Sequence, residues 1–271
     1  MLRTRVVTAV FLLVGFVVLL NVLDSSGFAV AMLLISSIAA WEWGSLCFKK
    51  NRVKTSFFTF LSVVAMTLVW MQFPSGGMMM SIIGSALWVV IVCMFVAGQI
   101  IRVSLSIQVV LGLLFIPSCY ASLLLLRNGV GILDGQFLVW TLFLIVWSAD
   151  IGAYFSGKKF GKTKLAADVS PNKTWEGLWG GVFSTALISV IFGYFGFEQF
   201  SVALMFWLGI CIFSGLISVV GDLFESYIKR HANAKDSGSI LPGHGGMLDR
   251  VDGVLAAAPI FTLLIISIYS A

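Results

Sequence analysis

The chain has 271 residues but only 17 basic and 12 acidic side chains, so 11% of it is charged, against roughly 25% in soluble proteins. Hydrophobic residues make up 59% and the mean hydropathy is +1.04. This composition excludes a soluble globular domain and predicts a polytopic membrane protein. The net charge of +5 is explained by topology and anionic lipid headgroups, so nucleic acid is not an expected partner.

Apolar segments recur along the whole chain. A membrane-spanning helix needs about 20 mostly apolar residues. Arg3 and Arg5 precede the first segment as in a signal peptide, but no Ala-x-Ala site follows, so we predict a retained span. The sequence therefore predicts an all-α polytopic integral membrane protein with about nine transmembrane helices, at 6–23, 27–48, 56–73, 77–97, 107–126, 135–157, 176–197, 201–228 and 249–269.

The predicted spans fall into two groups. Residues 1–100 contain about four spans and are expected to serve as scaffold, dimer contact or lipid-facing surface. Residues 101–271 are expected to form a catalytic transmembrane region, because the polar segments are concentrated there. Its cytoplasmic loops are predicted at 158–175 and 229–248.

Basic residues divide unevenly between alternate connections. Sixteen of the 17 lie in or beside connections on one side, and only Arg127 lies on the other. Cytoplasmic loops carry the excess of Lys and Arg, which places these sixteen in the cytoplasm. We expect a bacterial inner membrane protein whose N-terminus and active site are cytoplasmic and whose C-terminus is outside.

Acidic residues concentrate on the same predicted side. A charge at membrane depth costs at least ~2.5–3.5 kcal/mol, so such residues normally face a bundle interior and mark a site. Nine of the 12 acids belong to this group: Glu42, Asp150, Asp168, Glu176, Asp222, Glu225, Asp236, Asp249 and Asp252.

Helical spacing groups several of these acids. Asp222 and Glu225 share one helix face, as do Asp249 and Asp252, because residues three apart are neighbours on a helix. Carboxylates in one small volume repel each other, and a divalent cation resolves that conflict. Ligands that are all oxygen suit Mg²⁺. Further polar residues at helical spacing from these acids are Ser226, four residues after Asp222, and the pair Asp150 and Tyr154.

The alternative for these acids is a structural salt bridge. Glu225 has Lys229 four residues later, and Asp249 is followed by Arg250. Glu42 lies between two tryptophans with no other polar residue nearby in sequence. A structural role is the favoured interpretation for this residue.

The first cytoplasmic segment is basic and glycine-containing. Four lysines lie within 158–164. Ser170 and Pro171 are typical of the N-cap and first position of a helix, and helix N-termini bind phosphate. Lys173 and Thr174 would then supply a cation and a hydroxyl in the first turn. The alternative is a basic interfacial loop that touches lipid headgroups.

The second cytoplasmic segment contains a tight turn at 242–246, Pro-Gly-His-Gly-Gly, that leads into Asp249 and Arg250. Its backbone amides together with Arg250 could hold phosphate. His244 is equally compatible with a polar site residue and a turn residue. The candidate substrate-binding residues are Lys229, Arg230, Lys235, Ser226, His244, Gly245, Gly246, Thr174, Asp150 and Tyr154.

Residues 226–252 read S-x-I-K-R-x₄-K-D-x-G-x₂-L-P-x-H-G-G-M-x-D-R-V-D. This pattern resembles the signature of the phosphatidate cytidylyltransferase (CDP-diacylglycerol synthase) family, and the resemblance extends over roughly 145–255. It implies an all-helical membrane enzyme, often a homodimer, that converts CTP and phosphatidate to CDP-diacylglycerol and pyrophosphate with Mg²⁺. A second cation such as K⁺ is also implied.

The resemblance assigns roles to particular residues. The metal-binding aspartates of the family match Asp222 and Asp249, and Asp252 and Glu225 are further candidate metal ligands. Lys173 and Arg250 are candidate phosphate-binding cations on the basis of their positions in the two cytoplasmic segments, and with Asp222 and Asp249 they form the expected catalytic set. No general base is needed, because the attacking phosphate oxygen of phosphatidate is already ionised.

An ion-coupled membrane transporter is the alternative function, since acids within a membrane also mark ion paths. It predicts polar residues through the full bilayer depth and inverted repeats. The acids instead cluster near one leaflet, and the sequence shows no internal repeat.

Overall fold

The computed structural model describes residues 2–97, 103–131, 133–196 and 202–269. This part of the chain is almost entirely helical, which confirms the predicted all-α class and its number of spans. The elements are α1 (Leu2–Val22), α2 (Ser25–Cys47), α3 (Arg52–Met71), α4 (Ser75–Val96), α5 (Leu105–Arg127), α6 (Gly135–Phe160), β1 (Lys164–Ala166), β2 (Ser170–Thr174), α7 (Trp175–Gly196), α8 (Val202–His231) and α9 (Leu248–Tyr269).

Eight of these helices, α2 to α9, are long and apolar enough to cross a membrane. The described apolar part of α1, Val7–Val22, is shorter. The outward faces of the bundle carry many exposed large apolar side chains, among them Phe11, Phe183 and Met205. Such faces are stable in lipid and not in water, so the protein is an integral membrane protein.

Short polar side chains start several of the helices. Asp24 accepts a hydrogen bond from the Gly27 amide at 2.8 Å, and Asp134 accepts from the amides of Gln136 and Phe137. A side-chain oxygen at the N-cap satisfies a backbone donor that has no partner within the helix. These two acids therefore have a local structural role.

The bundle interior is an aromatic cluster made of Trp43, Trp88, Phe115 and Phe224. Trp88 stacks on Phe115 with ring centroids 4.2 Å apart. The indole of Trp88 donates to the Leu255 carbonyl at 3.1 Å. Because these residues come from α2, α4, α5, α8 and α9, the cluster joins the N-terminal spans to the C-terminal ones.

The two sets of connections lie at opposite ends of the bundle. Arg127 donates to the carbonyls of Leu20 and Leu23 at the turn between α1 and α2. Lys49 and Lys235, from connections predicted on the other side, line one shared cavity. The grouping of alternate loops agrees with the charge count, whereas the direction of the bundle across the bilayer remains a prediction.

The predicted helix start at Ser170 and Pro171 is wrong. Residues 170–174 form strand β2, which pairs antiparallel with β1, and α7 begins at Trp175. The actual cap is Thr174, whose hydroxyl accepts from the Gly177 amide at 3.1 Å. The serine–proline pair is compatible with an extended strand as well as with a helix start, and strand pairing with 164–166 decides between them.

Two helices extend further than predicted. α6 continues to Phe160 and α8 to His231. Lys229 and Arg230 therefore lie in the last turn of α8 and not in a loop. Their side chains thus project from a rigid helix, at the end where a cation interacts favourably with the helix dipole.

Candidate metal and phosphate site

Helices α8 and α9 bring three carboxylates together. Asp222, Glu225 and Asp252 each offer one oxygen, and these oxygens all lie within 4.8 Å of one another. We call these three residues the acidic cluster. Gly221 permits the close approach, since a Cβ there would lie 2.6 Å from the Asp252 carbonyl oxygen. Asp150 of α6 is near enough to interact electrostatically with the cluster.

Two lysines compensate part of this negative charge. Lys173 forms an ion pair with Asp222, and Lys229 forms one with Glu225. Lys229 also donates to Asp249 Oδ1 at 2.7 Å. The ion pair between Glu225 and Lys229 that was the structural alternative to a metal site is therefore present. Asp249 also pairs with Lys229, and its described contacts do not include Arg250.

The hairpin β1–β2 presents Lys173 to the acidic cluster. The half-buried carboxylate of Glu176 anchors the chain before β1, because it accepts from the amides of Lys162 and Thr163 at 3.1 Å. Lys173 lies one residue before Thr174, whose side chain is buried and caps α7. Alternation along a strand turns successive side chains to opposite faces, so Lys173 points towards α8.

Asp249, at the start of α9, accepts several hydrogen bonds. Its Oδ2 accepts from the amide and hydroxyl of Ser237, at 2.9 and 3.0 Å, and from the Gly246 amide at 2.7 Å. Gly246 lies two residues before the first residue of α9, so this bond holds the preceding turn against the start of the helix. Asp249 is thus joined to the acidic cluster through Lys229.

The turn at 242–246 packs against these acids. Gly245 has φ +82°, a left-handed conformation that favours glycine. A Cβ at Gly246 would lie 2.6 Å from Glu42 Cδ and closer still to the Ser237 hydroxyl. The amide of Gly246 is bonded to Asp249, so in this conformation it orders the site and does not face a phosphate.

A Gly246→Ala substitution is therefore expected to destabilise the fold by about 1–3 kcal/mol, the usual cost of overpacking. Thermal unfolding in detergent measures the change. Gly209→Ala is the matched control, because a Cβ there meets no atom within 4 Å and alanine favours a helix. Equal melting temperatures for Gly246→Ala and wild type would contradict the packing described.

A cavity of about 840 Å³ adjoins the same turn. Four of the predicted substrate or catalytic residues line it: Lys235, His244, Gly245 and Arg250. Arg250 donates to the His244 carbonyl at 3.0 Å. The His244 Nδ1 is buried without a hydrogen-bond partner among the described residues. The charged residues that line the cavity are Lys235, Arg250 and Asp236. The two cations outnumber the one acid, which suits an anionic ligand.

Of three other predicted substrate-binding residues, only Ser226 contacts the acidic cluster among the described contacts. Ser226 Oγ donates to Asp222 Oδ1 at 3.5 Å, the outer limit of a hydrogen bond. Arg230 is exposed and donates to a backbone carbonyl of the following turn. The described contacts of Tyr154 are with Phe155 and Lys158, so they do not connect it to the acidic cluster.

Glu42 of α2 lies against the segment that carries Asp249, a position that the sequence does not indicate. It is 2% exposed, and its carboxylate accepts three hydrogen bonds from residues 237–248. Its partners are 195 to 206 positions away. The only signal in the sequence is a carboxylate between two tryptophans in an apolar segment, which indicates burial but identifies no partner.

The donor set of the acidic cluster fits a divalent cation. Three carboxylate oxygens converge, and two lysines cannot neutralise Asp150, Asp249 and the cluster together. Neither oxygen of Glu225 has a hydrogen-bond partner of good geometry, although Lys229 pairs with it by charge. Oxygen ligands of this kind, with waters and substrate phosphates completing the shell, are typical of Mg²⁺.

The fold and the site define a class of protein: an integral membrane protein with a cluster of carboxylates between two helices and a polar cavity at the start of α9. Comparison with known proteins then identifies the family. The family model described as "Cytidylyltransferase family" matches residues 3–268. This chain belongs to that family, whose members are nucleotidyltransferases.

Similar proteins cover nearly the whole chain. The phosphatidate cytidylyltransferase of Pseudomonas aeruginosa is 33% identical over 98% of this chain and 97% of its own length. That of Haemophilus influenzae is 33% identical over 97% and 98%. The phosphatidate cytidylyltransferase of Bacillus subtilis is 38% identical over 60% of this chain and 58% of its own length. The similarity thus extends to the N-terminal spans, beyond 145–255.

Proposed function

We propose that this protein is a phosphatidate cytidylyltransferase of phospholipid biosynthesis. It transfers CMP from CTP to the phosphate of phosphatidate and releases pyrophosphate. The observation that carries the proposal is the convergence of Asp222, Glu225 and Asp252 near the cavity that Arg250 lines. The chain is similar over nearly its full length to enzymes of that name.

The reaction needs positioning and charge neutralisation more than proton transfer. An oxygen of the phosphatidate phosphate attacks the α-phosphorus of CTP, and the bond from that phosphorus to the bridging β-phosphate oxygen breaks. The nucleophile is already ionised, so no general base is required. Bringing two anions together is the main barrier, and fixed cations lower it.

Lys173 and Arg250 are the proposed phosphate-binding cations. Lys173 is held by the hairpin and now pairs with Asp222, whereas Arg250 lines the cavity. A triphosphate next to these side chains would compete with Asp222 for Lys173 and with the His244 carbonyl for Arg250. Lys229, Arg230 and Lys235 add positive charge at the cavity side, while Ser226, Thr174, His244 and the glycines of the turn orient the site.

The proposed metal ligands are the acidic cluster together with Asp249. When bound, Mg²⁺ would neutralise charge on the CTP phosphates and on the leaving pyrophosphate. Asp249 Oδ1 becomes available if Lys229 moves towards a substrate phosphate, because that oxygen is now paired with Lys229. Asp150 orients the site from α6, and a second cation such as K⁺ remains part of the proposal.

The proposed arrangement in the membrane follows from the charge distribution. The site lies at the end of the bundle where the basic connections meet, so it would face the cytoplasm, the source of CTP. Phosphatidate would enter sideways from the bilayer at headgroup depth. A homodimer, implied by the resemblance, can be checked by light scattering of the purified protein.

A direct assay tests the function. Purified protein is mixed with CTP, Mg²⁺ and phosphatidate in detergent micelles, and pyrophosphate and CDP-diacylglycerol are measured. We expect equal amounts of both products, and none when diacylglycerol replaces phosphatidate or when a chelator removes the metal. A protein that forms neither product but moves cations across liposome membranes would favour the transporter alternative.

A further inference from the structure

We propose that Glu42 is a positioning residue of the catalytic site, contributed by the N-terminal half of the chain. Its carboxylate fixes the start of α9 and the segment 237–246, and through Ser237 it sets the position of Asp249. The inference rests on the proposed function, because it assigns to Glu42 a role in holding the metal-binding acids.

The carboxylate of Glu42 acts as an N-cap supplied from another helix. Oε1 accepts from the Met247 amide at 3.1 Å, and Oε2 accepts from the Leu248 amide at 2.7 Å. α9 begins at Leu248, so these are amides at the helix start that have no partner within the helix. A negative charge is favoured there by the helix dipole.

Ser237 joins Glu42 to Asp249. Its hydroxyl oxygen lies 2.9 Å from Glu42 Oε2 and 3.0 Å from Asp249 Oδ2. A hydroxyl has one proton, so it donates to one carboxylate at a time and alternates between Glu42 and Asp249. Backbone amides donate hydrogen bonds to both carboxylates as well, and these bonds fix the distance between the two groups.

The backbone of the catalytic segment closes directly around Glu42. A Cβ on Gly238 would lie 2.8 Å from Glu42 Cδ, and one on Gly246 would lie 2.6 Å from the same atom. Such contact leaves no room for a water molecule between the carboxylate and these two glycines. The position of Glu42 therefore determines the path of this segment.

This arrangement explains why an acid is buried in α2. An unpaired buried carboxylate is costly, but Glu42 has three hydrogen-bond donors and a helix N-terminus. α9 carries both Asp249 and Asp252, so a displacement of its first turn moves two of the proposed metal ligands. Groups that orient metal ligands typically change metal affinity by about 10–100-fold when they are removed.

The test is Mn²⁺ binding to the purified protein without substrates, followed by electron paramagnetic resonance. Glu42→Gln keeps the size of the side chain but presents an amide N–H₂ to backbone donors. We expect Mn²⁺ binding at least about 10-fold weaker than wild type. We also expect a lower kcat, with a smaller change in the KM for phosphatidate.

Two further variants separate positioning from folding. Ser237→Ala removes the hydroxyl that lies between Glu42 and Asp249 but leaves the hydrogen bonds from Glu42 to α9, so this variant should fold. It should weaken Mn²⁺ binding, and it keeps the test valid if Glu42→Gln fails to fold. Ser81→Ala removes a buried hydrogen bond to Ser122 between α4 and α5. It is the control for a general loss of stability and should bind Mn²⁺ as wild type does.

The outcomes are distinguishable. Wild-type Mn²⁺ affinity in folded Glu42→Gln, or in Ser237→Ala, would overturn the positioning role. Weaker binding in Ser81→Ala as large as in Ser237→Ala would also overturn it, because a structural defect would then suffice. A wild-type protein that binds Mn²⁺ but releases no pyrophosphate would instead refute the proposed function.

Discussion

Replacing Asp222 by asparagine is expected to reduce pyrophosphate release by more than about 100-fold, beyond the range seen for groups that only orient metal ligands. Asp222 contributes an oxygen to the acidic cluster and pairs with Lys173. The amide keeps the size of the side chain but removes the charge that a divalent cation requires. It also leaves Lys173 without its partner.

The Asp222 variant is assayed with CTP, phosphatidate and Mg²⁺, after gel filtration has shown that it is folded in detergent. Asp168→Asn is the matched control, because Asp168 is an exposed acid in the turn between β1 and β2. Asp249→Asn should lose activity as well, because an amide cannot accept all the hydrogen bonds that the Asp249 carboxylate accepts at the start of α9. Pyrophosphate release within twofold of wild type in the Asp222 variant would sink the metal assignment.

Replacing Lys229 by methionine is expected to cost about 3–5 kcal/mol of stability, the usual effect of breaking a buried ion pair. Lys229 is 9% exposed and lies between Glu225 and Asp249. Methionine matches the length of the side chain but leaves two buried carboxylates without their cation. Their mutual repulsion then acts against the contact of α8 with α9.

Unfolding of the Lys229 variant is followed by circular dichroism in detergent. Lys229→Arg keeps the charge and should retain most of the stability, while Lys158→Met removes an exposed lysine of α6 and should change little. Adding Glu225→Gln to Lys229→Met should recover part of the loss, because one buried charge is then gone. A Lys229→Met protein as stable as wild type would show that the ion pairs contribute nothing.

The contacts of Glu42 and of the aromatic cluster cross the boundary predicted near residue 100. Glu42 accepts hydrogen bonds from residues 237–248, and Trp88 donates one to the Leu255 carbonyl. The N-terminal spans therefore contact the site from inside the bundle. Their roles in dimer contact and lipid exposure remain predictions, compatible with the exposed apolar faces of α1, α3 and α4.

The class of fold is predictable from the sequence, and the sequence also singles out the acids that the structure brings together. Spans can be predicted because a bilayer requires about 20 apolar residues with internally bonded backbone. Charges in such segments are costly, so Asp222 and Asp252 stood out from sequence alone. The motif at 226–252 indicated the family, which the comparisons confirmed.

Which side chains contact each other depends on how the helices and strands pack, and local sequence patterns do not specify that. Helical spacing placed Asp249 and Asp252 on one face, but the packing of α8 on α9 put Asp252 in the acidic cluster and left Asp249 with Ser237 and Lys229. Strand pairing, not the local signal at Ser170, decided how Lys173 reaches Asp222. The role of Glu42 was hidden for the same reason: hydrogen-bond partners about 200 residues apart depend on how helices pack, and no periodicity within a segment encodes that.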